Sequence, residues 1–292
     1  MLKFEKITDD IYLLKIPFSI VWTGVILVCG EKNFLIDSGS EEPEKYIIPA
    51  LNDLGMSISD IDYLLNTHCH GDHISGHHTL VNKFGIKTAV IDKAYDILKN
   101  PADNAVRIRT KFPEYSPAPQ SWLKGVEADV ILKDGDIFEN RLKVIYTPGH
   151  DMDCVCWYDT VTKTLITGDS VQANGTPTQG IGFYQSLDSY RSSLEKLKDL
   201  DVENIIFGHE YDGAGDIVTG RENVKKCFDY CRELTYVYQK EVEKCLEDGI
   251  SKDSEIAMEI INKIGCGMPE KLFLALYTVN EHLKKVRRIK NG

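Results

Sequence analysis

Residues 67–73 read Thr67-His68-Cys69-His70-Gly71-Asp72-His73 and follow directly on the apolar stretch Tyr63-Leu64-Leu65. The segment packs three histidines and one aspartate into six consecutive positions. Imidazole nitrogens and carboxylate oxygens are ligands for zinc, manganese and iron. A loop at a strand end can hold such side chains on a rigid scaffold and leave them reachable. The stretch therefore predicts a metal site of the hydrolytic type rather than a polar turn.

Three later segments repeat one pattern, in which an apolar run leads through a small or turn-forming residue to a ligand-type side chain. The runs 142–146, 164–167 and 204–207 lead to His150, Asp169 and His209, each preceded by a glycine. Glycine lets the backbone pass close to a metal ion. Five of the eight histidines fall in these four segments. This clustering predicts that the four strand ends meet at one metal centre.

The order of these ligands resembles the full metal-site pattern of the metallo-β-lactamase superfamily, from about residue 10 to residue 215. The resemblance implies a four-layer αββα sandwich with two divalent metal ions at one edge of the paired sheets. We expect zinc, with manganese or iron as alternatives. The implied ligands are His68, His70 and His150 for the first ion, Asp72, His73 and His209 for the second, and Asp169 as the bridge between them.

Asp72 and Asp169 are the predicted catalytic residues. Two ions can share a hydroxide that attacks the substrate, and Asp72 is expected to orient that hydroxide and shuttle its proton. Asp169 is expected to hold both ions in place. His77 and His78 follow the first motif on its helix, where one of them could support a ligand. We interpret both as helix-surface residues and leave them out of the site.

Composition limits the possible partners and location. A chain of 292 residues with 42% hydrophobic content can bury the core of one large domain. The net charge of −11 argues against a nucleic-acid partner. With neither a signal-peptide pattern nor a membrane-spanning run, we expect a cytoplasmic enzyme with a small-molecule substrate and eight reduced cysteines. A homodimer remains possible.

The domain organisation is predicted as a catalytic domain over residues 1–215 and a helical C-terminal extension over 216–292 that packs on the same domain. Helices are expected at about 42–54, 74–84, 189–200, 217–247, 253–264 and 269–288, and residues 37–40 are expected to cap the first of them. Residues 100–126, called the insertion below, interrupt the pattern with four prolines. The insertion is either a lid over the metal edge, its arginines attracting a carboxylate, or an oligomer contact.

Residues at single positions reduce the number of reactions that we expect within the superfamily. True β-lactamases carry cysteine or serine where Asp169 stands, so antibiotic hydrolysis is disfavoured. Residues 208–211 resemble the corresponding stretch of glyoxalase II, although the C-terminal Arg/Lys pattern that holds glutathione is absent. Lactonases of this fold carry a tyrosine where this chain has Gln172. Tyr184 or Tyr211 could serve instead, and together with Phe183 they are the candidate substrate-binding residues.

The favoured function is a binuclear hydrolase of a small-molecule ester, lactone or thioester. Persulfide dioxygenases of the same fold are an alternative, because they hold one iron ion with residues that correspond to His68, His150 and Asp169. A phosphodiesterase is a further alternative. A catalytically inactive binding protein is disfavoured because all seven ligand positions are filled.

Overall fold

The computed structural model describes residues 2–18, 21–39, 42–175, 180–264 and 272–291, with side chains up to residue 288. Within these ranges the chain forms two seven-stranded sheets, and the strands of the first sheet follow chain order. The strands of the first sheet are β1 (Glu5–Lys6), β2 (Ile11–Phe18), β3 (Val21–Val28), β4 (Phe34–Ile36), β5 (Tyr63–Leu65), β6 (Lys87–Ile91) and β7 (Val130–Leu132). Neighbours are antiparallel from β1 to β4 and parallel from β4 to β7.

The second sheet is formed by the following half of the chain. Its strands are β8 (Ile137–Phe138), β9 (Leu142–Tyr146), β10 (Val155–Asp159), β11 (Thr164–Gly168), β12 (Asn174–Gly175), β13 (Asn204–Asp212) and β14 (Gly215–Thr219). In space they follow the order β12-β13-β11-β10-β9-β8, and β14 pairs with β13. Because β11 and β13 are parallel, the residues that follow their paired segments meet at the same edge of the sheet.

Helices cover the outer face of each sheet. They are α1 (Pro43–Asp53), α2 (Gly71–Ile74), α3 (His77–Phe84), α4 (Tyr95–Lys99), α5 (Pro101–Thr110), α6 (Leu187–Lys198), α7 (Arg221–Glu247), α8 (Asp253–Ile264) and α9 (Leu272–Asn291). None of the helices in the described ranges combines the length and apolar character needed to span a bilayer.

Alternation of apolar side chains along the strands separates the core into layers. On β2, Leu13 faces the second sheet and packs in one cluster with Trp157 and Ile206, whereas Leu14 faces α1 and α3. The outer face of the second sheet packs against α6, α7, α8 and α9 in a third cluster. A period of two places successive side chains on opposite faces, so each sheet is buried on both sides. The predicted four-layer αββα sandwich with C-terminal helices is confirmed.

Two predicted helices differ in detail from the structure. The helix expected over 74–84 is broken between α2 and α3, because the Ser38 N–H donates to the His73 carbonyl oxygen at 2.7 Å. In a continuous α-helix that oxygen would accept from the N–H four residues later. Glu42 stands at the N-terminal cap of α1 and makes no side-chain cap bond. The capping role expected of residues 37–40 is therefore not seen for Asp37, and Ser40 lies outside the described residues.

The C-terminal region starts with a strand rather than a helix. Residues 215–219 form β14 on the edge of the second sheet, and α7 begins at Arg221. The prediction that the chain turns helical at about 217 missed this strand, since its five residues carry little apolar alternation. We propose that the helical extension begins at Arg221 and packs on the same domain, its helices burying the outer face of the second sheet.

Candidate metal centre

The seven predicted ligands lie together at one edge of the sandwich. Among the described residues, three groups have ligand atoms that all lie within 4.8 Å of one another. These groups are His68, His70 and His150; His68, His73 and Asp169; and Asp72, His73 and His209. The groups share His68 and His73, so the seven side chains form one continuous cluster.

Strand pairing explains why residues so distant in sequence meet. Ile36 pairs with Leu65 across parallel strands, and the chain continues from Leu65 into the first motif. In the second sheet, Gly168 pairs with Phe207 across parallel strands, which places Asp169 and His209 beyond the same point. The carboxyl ends of parallel strands therefore bring these ligands to the edge where the two sheets face each other.

Several ligand atoms are buried and make no hydrogen bond in the described structure. His68 Nε2, His73 Nε2 and Asp169 Oδ1 are the atoms of this kind within the cluster. Buried polar atoms are almost always satisfied in folded proteins. Two further nitrogens, His70 Nδ1 and His150 Nε2, face each other at 3.0 Å. The cluster thus presents a set of inward-facing lone pairs that fits divalent metal ions.

The outward-facing ring nitrogens, in contrast, are held by the protein. His73 Nδ1 lies 2.8 Å from Asp37 Oδ2, and His209 Nδ1 contacts the Trp22 carbonyl oxygen at 2.6 Å. His150 Nδ1 lies 2.8 Å from both the Phe183 carbonyl oxygen and Gln172 Nε2. If Nε2 is to bind a metal, Nδ1 carries the hydrogen and donates it to the carbonyl. Such partners fix the tautomer and orientation of metal-binding histidines.

Asp37 is a residue that the sequence reasoning missed. Its side chain is fully buried and accepts from the Thr67 N–H at 2.7 Å, from Thr67 Oγ1 at 2.8 Å and from His73. Thr67 Oγ1 lies 3.2 Å from His68 Nδ1, so Asp37 supports two ligand histidines at once. The signal was present in the sequence, because Asp37 follows the apolar run 34–36 as the recognised ligands follow theirs.

Asp151 is a second missed residue. It is almost fully buried, and its Oδ2 lies 3.1 Å from His70 Nε2. Arg107, on α5 of the insertion, donates to the same carboxylate at 3.0 Å and also to Asn104 Oδ1. His77 was wrongly interpreted as a surface residue: it is buried, and its Nδ1 contacts Ser38 Oγ at 2.8 Å.

Electrostatics divide the cluster into two halves. Burial and the neighbouring histidines hold the pKa of His68 well below its usual range, and burial lowers that of His150 to about 4 although Asp169 opposes this. For His209, burial is outweighed by Asp169 and Asp72, which raise its pKa to about 10. Asp37, Asp72 and Asp169 likewise outweigh burial and raise the pKa of His73. His68 and His150 are thus ready to bind metal at neutral pH, whereas His73 and His209 must release protons first.

Two glycines are required by the close approach of the backbone to these ligands. A Cβ atom on Gly208 would lie 2.6 Å from Asp169 Oδ1 and 2.9 Å from His73 Cε1. On Gly168, at φ +49°, it would lie 2.2 Å from Thr67 Oγ1. Both positions therefore leave no room for a larger residue without displacing a ligand or its support.

A cavity of about 160 Å³ opens onto the cluster. Phe183 and Tyr211 line it, as do Asp72 and His209, and the Phe183 ring centroid lies 4.8 Å from that of His150. Tyr184 does not line the cavity, because its hydroxyl contacts His282 Nε2 among the C-terminal helices. The substrate-binding role predicted for Tyr184 does not fit this position.

Comparison with known proteins assigns the family. A family model described as the metallo-beta-lactamase superfamily matches residues 18–209. The chain belongs to this superfamily. A beta-lactamase-like protein 2 homolog of Caenorhabditis elegans is 27% identical, over 92% of this chain and 80% of that protein. A hydroxyacylglutathione hydrolase of Pelagibacter ubique is also 27% identical, over 91% and 93% of the two chains.

Solved structures of the metallo-β-lactamase superfamily share the fold. A metallo-beta-lactamase family protein from Thermus thermophilus superposes with a TM-score of 0.73 at 20% identity, covering 98% of this chain and 95% of that one. The subclass B3 metallo-beta-lactamase of Bradyrhizobium japonicum gives a TM-score of 0.59 at 20% identity, covering 84% and 96%. The predicted class, a metal-dependent hydrolase of the metallo-β-lactamase fold, is confirmed.

Proposed function

We propose that this chain is a binuclear metal-dependent hydrolase of a small-molecule ester, lactone or thioester. The observation that carries the proposal is the position of Asp169 between the two halves of the cluster. Its Oδ2 lies 3.5 Å from His150 Nε2, and its Oδ1 lies 3.5 Å from both His73 Nε2 and His209 Nε2. A carboxylate whose two oxygens face two ligand groups is suited to bridging a pair of ions.

The proposed ligand assignment follows the geometry. His68, His70 and His150 would hold one ion, Asp72, His73 and His209 the other, and Asp169 would contact both. Two divalent ions held here, zinc in our proposal, would supply a Lewis acid for the substrate carbonyl and make water acidic enough to serve as the nucleophile near neutral pH. The histidine-rich set suits zinc, and three to four protein ligands per ion would leave a position for water.

Asp72 is proposed to orient the attacking water and to move its proton. Its Oδ2 lies 3.2 Å from His209 Nε2, and its side chain keeps 20% of its surface exposed. Because Asp72 also lines the cavity, its carboxylate can reach both a ligand position and a water molecule in the cavity. The histidine neighbours hold its pKa below the usual range despite burial, so the carboxylate is ionised and able to accept a proton.

Phe183 and Tyr211 are proposed to contact the substrate. Phe183 supplies an apolar wall next to His150. Burial raises the pKa of Tyr211 well above its ordinary value, so the phenol stays protonated and can donate to a substrate oxygen. The hydroxyacylglutathione hydrolase named above supports a thioester within the proposed substrate range. We place the enzyme in the cytoplasm with a small-molecule substrate.

Metal content separates this proposal from the dioxygenase alternative. We would measure it by elemental analysis on protein purified without chelator or added metal. About two zinc ions per chain, together with hydrolysis in a screen of esters, lactones and thioesters, would support the proposal. About one iron ion per chain and oxygen uptake on a persulfide would replace it with the mononuclear dioxygenase.

The bridging residue gives the sharpest variant. Asp169→Ala should abolish hydrolysis and leave the fold largely intact, because the substitution removes the contact to both ligand groups. Asp229→Ala is a matched control on the exposed surface of α7, where Asp229 pairs with Lys198, and it should retain full activity. Full activity of Asp169→Ala would contradict the two-metal proposal.

A further inference from the structure

One positively charged side chain, that of Arg109, lines the cavity next to the metal cluster and has no role in the assignments above. Arg109, near the end of α5, lines the cavity together with Asp72, His150 and His209. Among the described residues that line the cavity, it is the only lysine or arginine. The chain as a whole is strongly acidic, with a net charge of −11. A positive group at this place therefore calls for a specific reason.

Arg109 is held in position without a charge partner. Its guanidinium lies 4.3 Å from the centroid of the Phe273 ring on α9, a cation–π contact that fixes its plane. Its Nη1 is buried and makes no hydrogen bond in the described structure, and no ion pair forms to any described carboxylate. Arg107, two residues earlier on the same helix, shows the opposite arrangement, with bonds to Asn104, Asp151 and Gln185.

A guanidinium nitrogen that is buried without a hydrogen-bond partner disfavours the empty state of the cavity. Burial lowers the pKa of Arg109, whereas the carboxylate of Asp72 acts in the opposite direction. A guanidinium nevertheless stays charged in proteins, so it keeps its donors. A buried donor without a partner costs free energy until a ligand satisfies it. Arg109 is therefore prepared for a negatively charged acceptor that enters with the substrate.

We propose that Arg109 binds a carboxylate of the substrate, so that the enzyme acts on an ester or thioester carrying a carboxylate at a distance from the reacting carbonyl. This inference rests on the proposed function, because it places the reacting carbonyl at the metal cluster. A guanidinium matches the planar, two-oxygen shape of a carboxylate. A phosphate dianion fits less well, since the described lining offers one cation and also includes Asp72 and Asp169.

The insertion delivers Arg109 to this position. Ile108 packs against Phe183 and Tyr277, and the Tyr277 hydroxyl donates to the Ile108 carbonyl oxygen at 3.0 Å. Gln120 lies so close to Gly71 that a Cβ on this glycine would be 2.4 Å from Gln120 Oε1. The insertion thus covers the first metal motif, which supports the interpretation of this segment as a lid over the metal edge. The Arg109 guanidinium and the ligand residues Asp72, His150 and His209 therefore line the same cavity.

Binding and hydrolysis can each test the inference. We would measure binding of succinate, glutarate and adipate, each against its monoamide, to zinc-loaded protein by calorimetry. One carboxylate of each diacid mimics the product at the cluster, and the other is available to Arg109. At least one diacid should bind about tenfold more tightly than its monoamide, as expected for a charge-assisted pair. In Arg109→Gln this preference should disappear.

Two variants control for folding and for charge. Arg109→Lys keeps the charge and should retain part of the preference, which a merely structural role would not produce. Arg221→Gln removes an exposed cation that pairs with Asp201 and Glu203 before β13, at the opposite end of that strand from His209, and should keep the full preference. A folded Arg109→Gln protein that still prefers the diacid would overturn the inference. An Arg109-dependent preference for a phosphonate over a carboxylate at the end distant from the cluster would also overturn it.

The same variants separate this inference from the proposed function. If wild-type protein hydrolyses ester substrates, those with a distal carboxylate should show kcat/KM about tenfold above their amide analogues, and Arg109→Gln should lose this preference. Hydrolysis without a charge preference would refute the role of Arg109 and leave the hydrolase proposal intact. Arg109-dependent diacid binding without any hydrolysis would do the reverse.

Discussion

Asp37→Asn is the substitution that best tests how the second ligand group is held. Asp37 has φ +62°, and asparagine tolerates this left-handed conformation, so the backbone can stay in place. The amide oxygen of asparagine can still accept from the Thr67 N–H. Its NH₂ group, however, would face His73 Nδ1, which donates to Asp37 in the native arrangement.

The expected effect follows from the tautomer of His73. To accept from the new amide, the ring must move its hydrogen from Nδ1 to Nε2, the buried nitrogen that faces the cluster. A protonated Nε2 cannot bind a metal ion. Loss of such a supporting partner weakens metal affinity by about 10–100-fold, which corresponds to about 1.4–2.7 kcal/mol. The weakening should fall on the ion held by Asp72, His73 and His209.

The assay is a zinc titration against a chromophoric chelator, with wild type and variant measured side by side. Asp37→Asn should keep one tight site and lose affinity at the other. Asp159→Asn is a matched control, because Asp159 is also fully buried and accepts from Arg141 at the far end of β10. That control should lower the free energy of unfolding and leave both zinc affinities unchanged. Unchanged affinities in a folded Asp37→Asn protein, or an equal loss in the control, would refute the reasoning.

Four further substitutions test other parts of the structure. Gly208→Ala should weaken zinc binding at least about tenfold in the same titration, because its Cβ would displace Asp169 or His73. Asp151→Asn should weaken the affinity for the ion held by His70 by about 10–100-fold. Arg107→Met should change this affinity less than about fivefold, because the half-exposed ion pair of Arg107 with Asp151 contributes about 1 kcal/mol or less. Equal effects of these two variants would contradict the support assigned to Asp151. Burial lowers the pKa of His282 to about 3. When the pH falls below about 6.5, His282 therefore becomes protonated in the unfolded chain and stays neutral in the folded one, which lowers the free energy of unfolding by about 1.4 kcal/mol per pH unit. His282→Gln should flatten this loss in urea unfolding curves recorded between pH 7 and pH 4, and an unchanged slope would show that other groups cause it.

Local patterns in the sequence predicted much of the fold. The apolar runs 142–146, 164–167 and 204–207 lie within β9, β11 and β13, because apolar runs bounded by turn residues depend on neighbouring residues alone. The strand β14 was missed because its partner, β13, supplies its pairing. The break between α2 and α3 was missed for a similar reason, since the competing donor comes from Ser38 on another loop.

The ligand residues were readable from the sequence because each comes soon after an apolar run and belongs to a residue type that binds metals. The supporting residues were harder to read. Its neighbours in the sequence do not distinguish Asp151 from other loop aspartates, because its partners Arg107 and His70 are distant in the chain. The hydroxyl of Tyr184 turns toward His282, 98 residues later in the chain, and no local pattern indicates that direction.

The sequence by itself determined the residue types at the cluster, their order and their placement at strand ends, because these depend on hydrophobic periodicity and ligand chemistry within short segments. Only the tertiary structure decided which ring nitrogens face inward and which carboxylates support them. It alone placed Arg109 beside the cluster, against the Phe273 ring and without an ion pair to any described carboxylate. Such distances and unmet donors arise where chain segments from different layers converge, and that convergence is set by the packing of the two sheets and their helices.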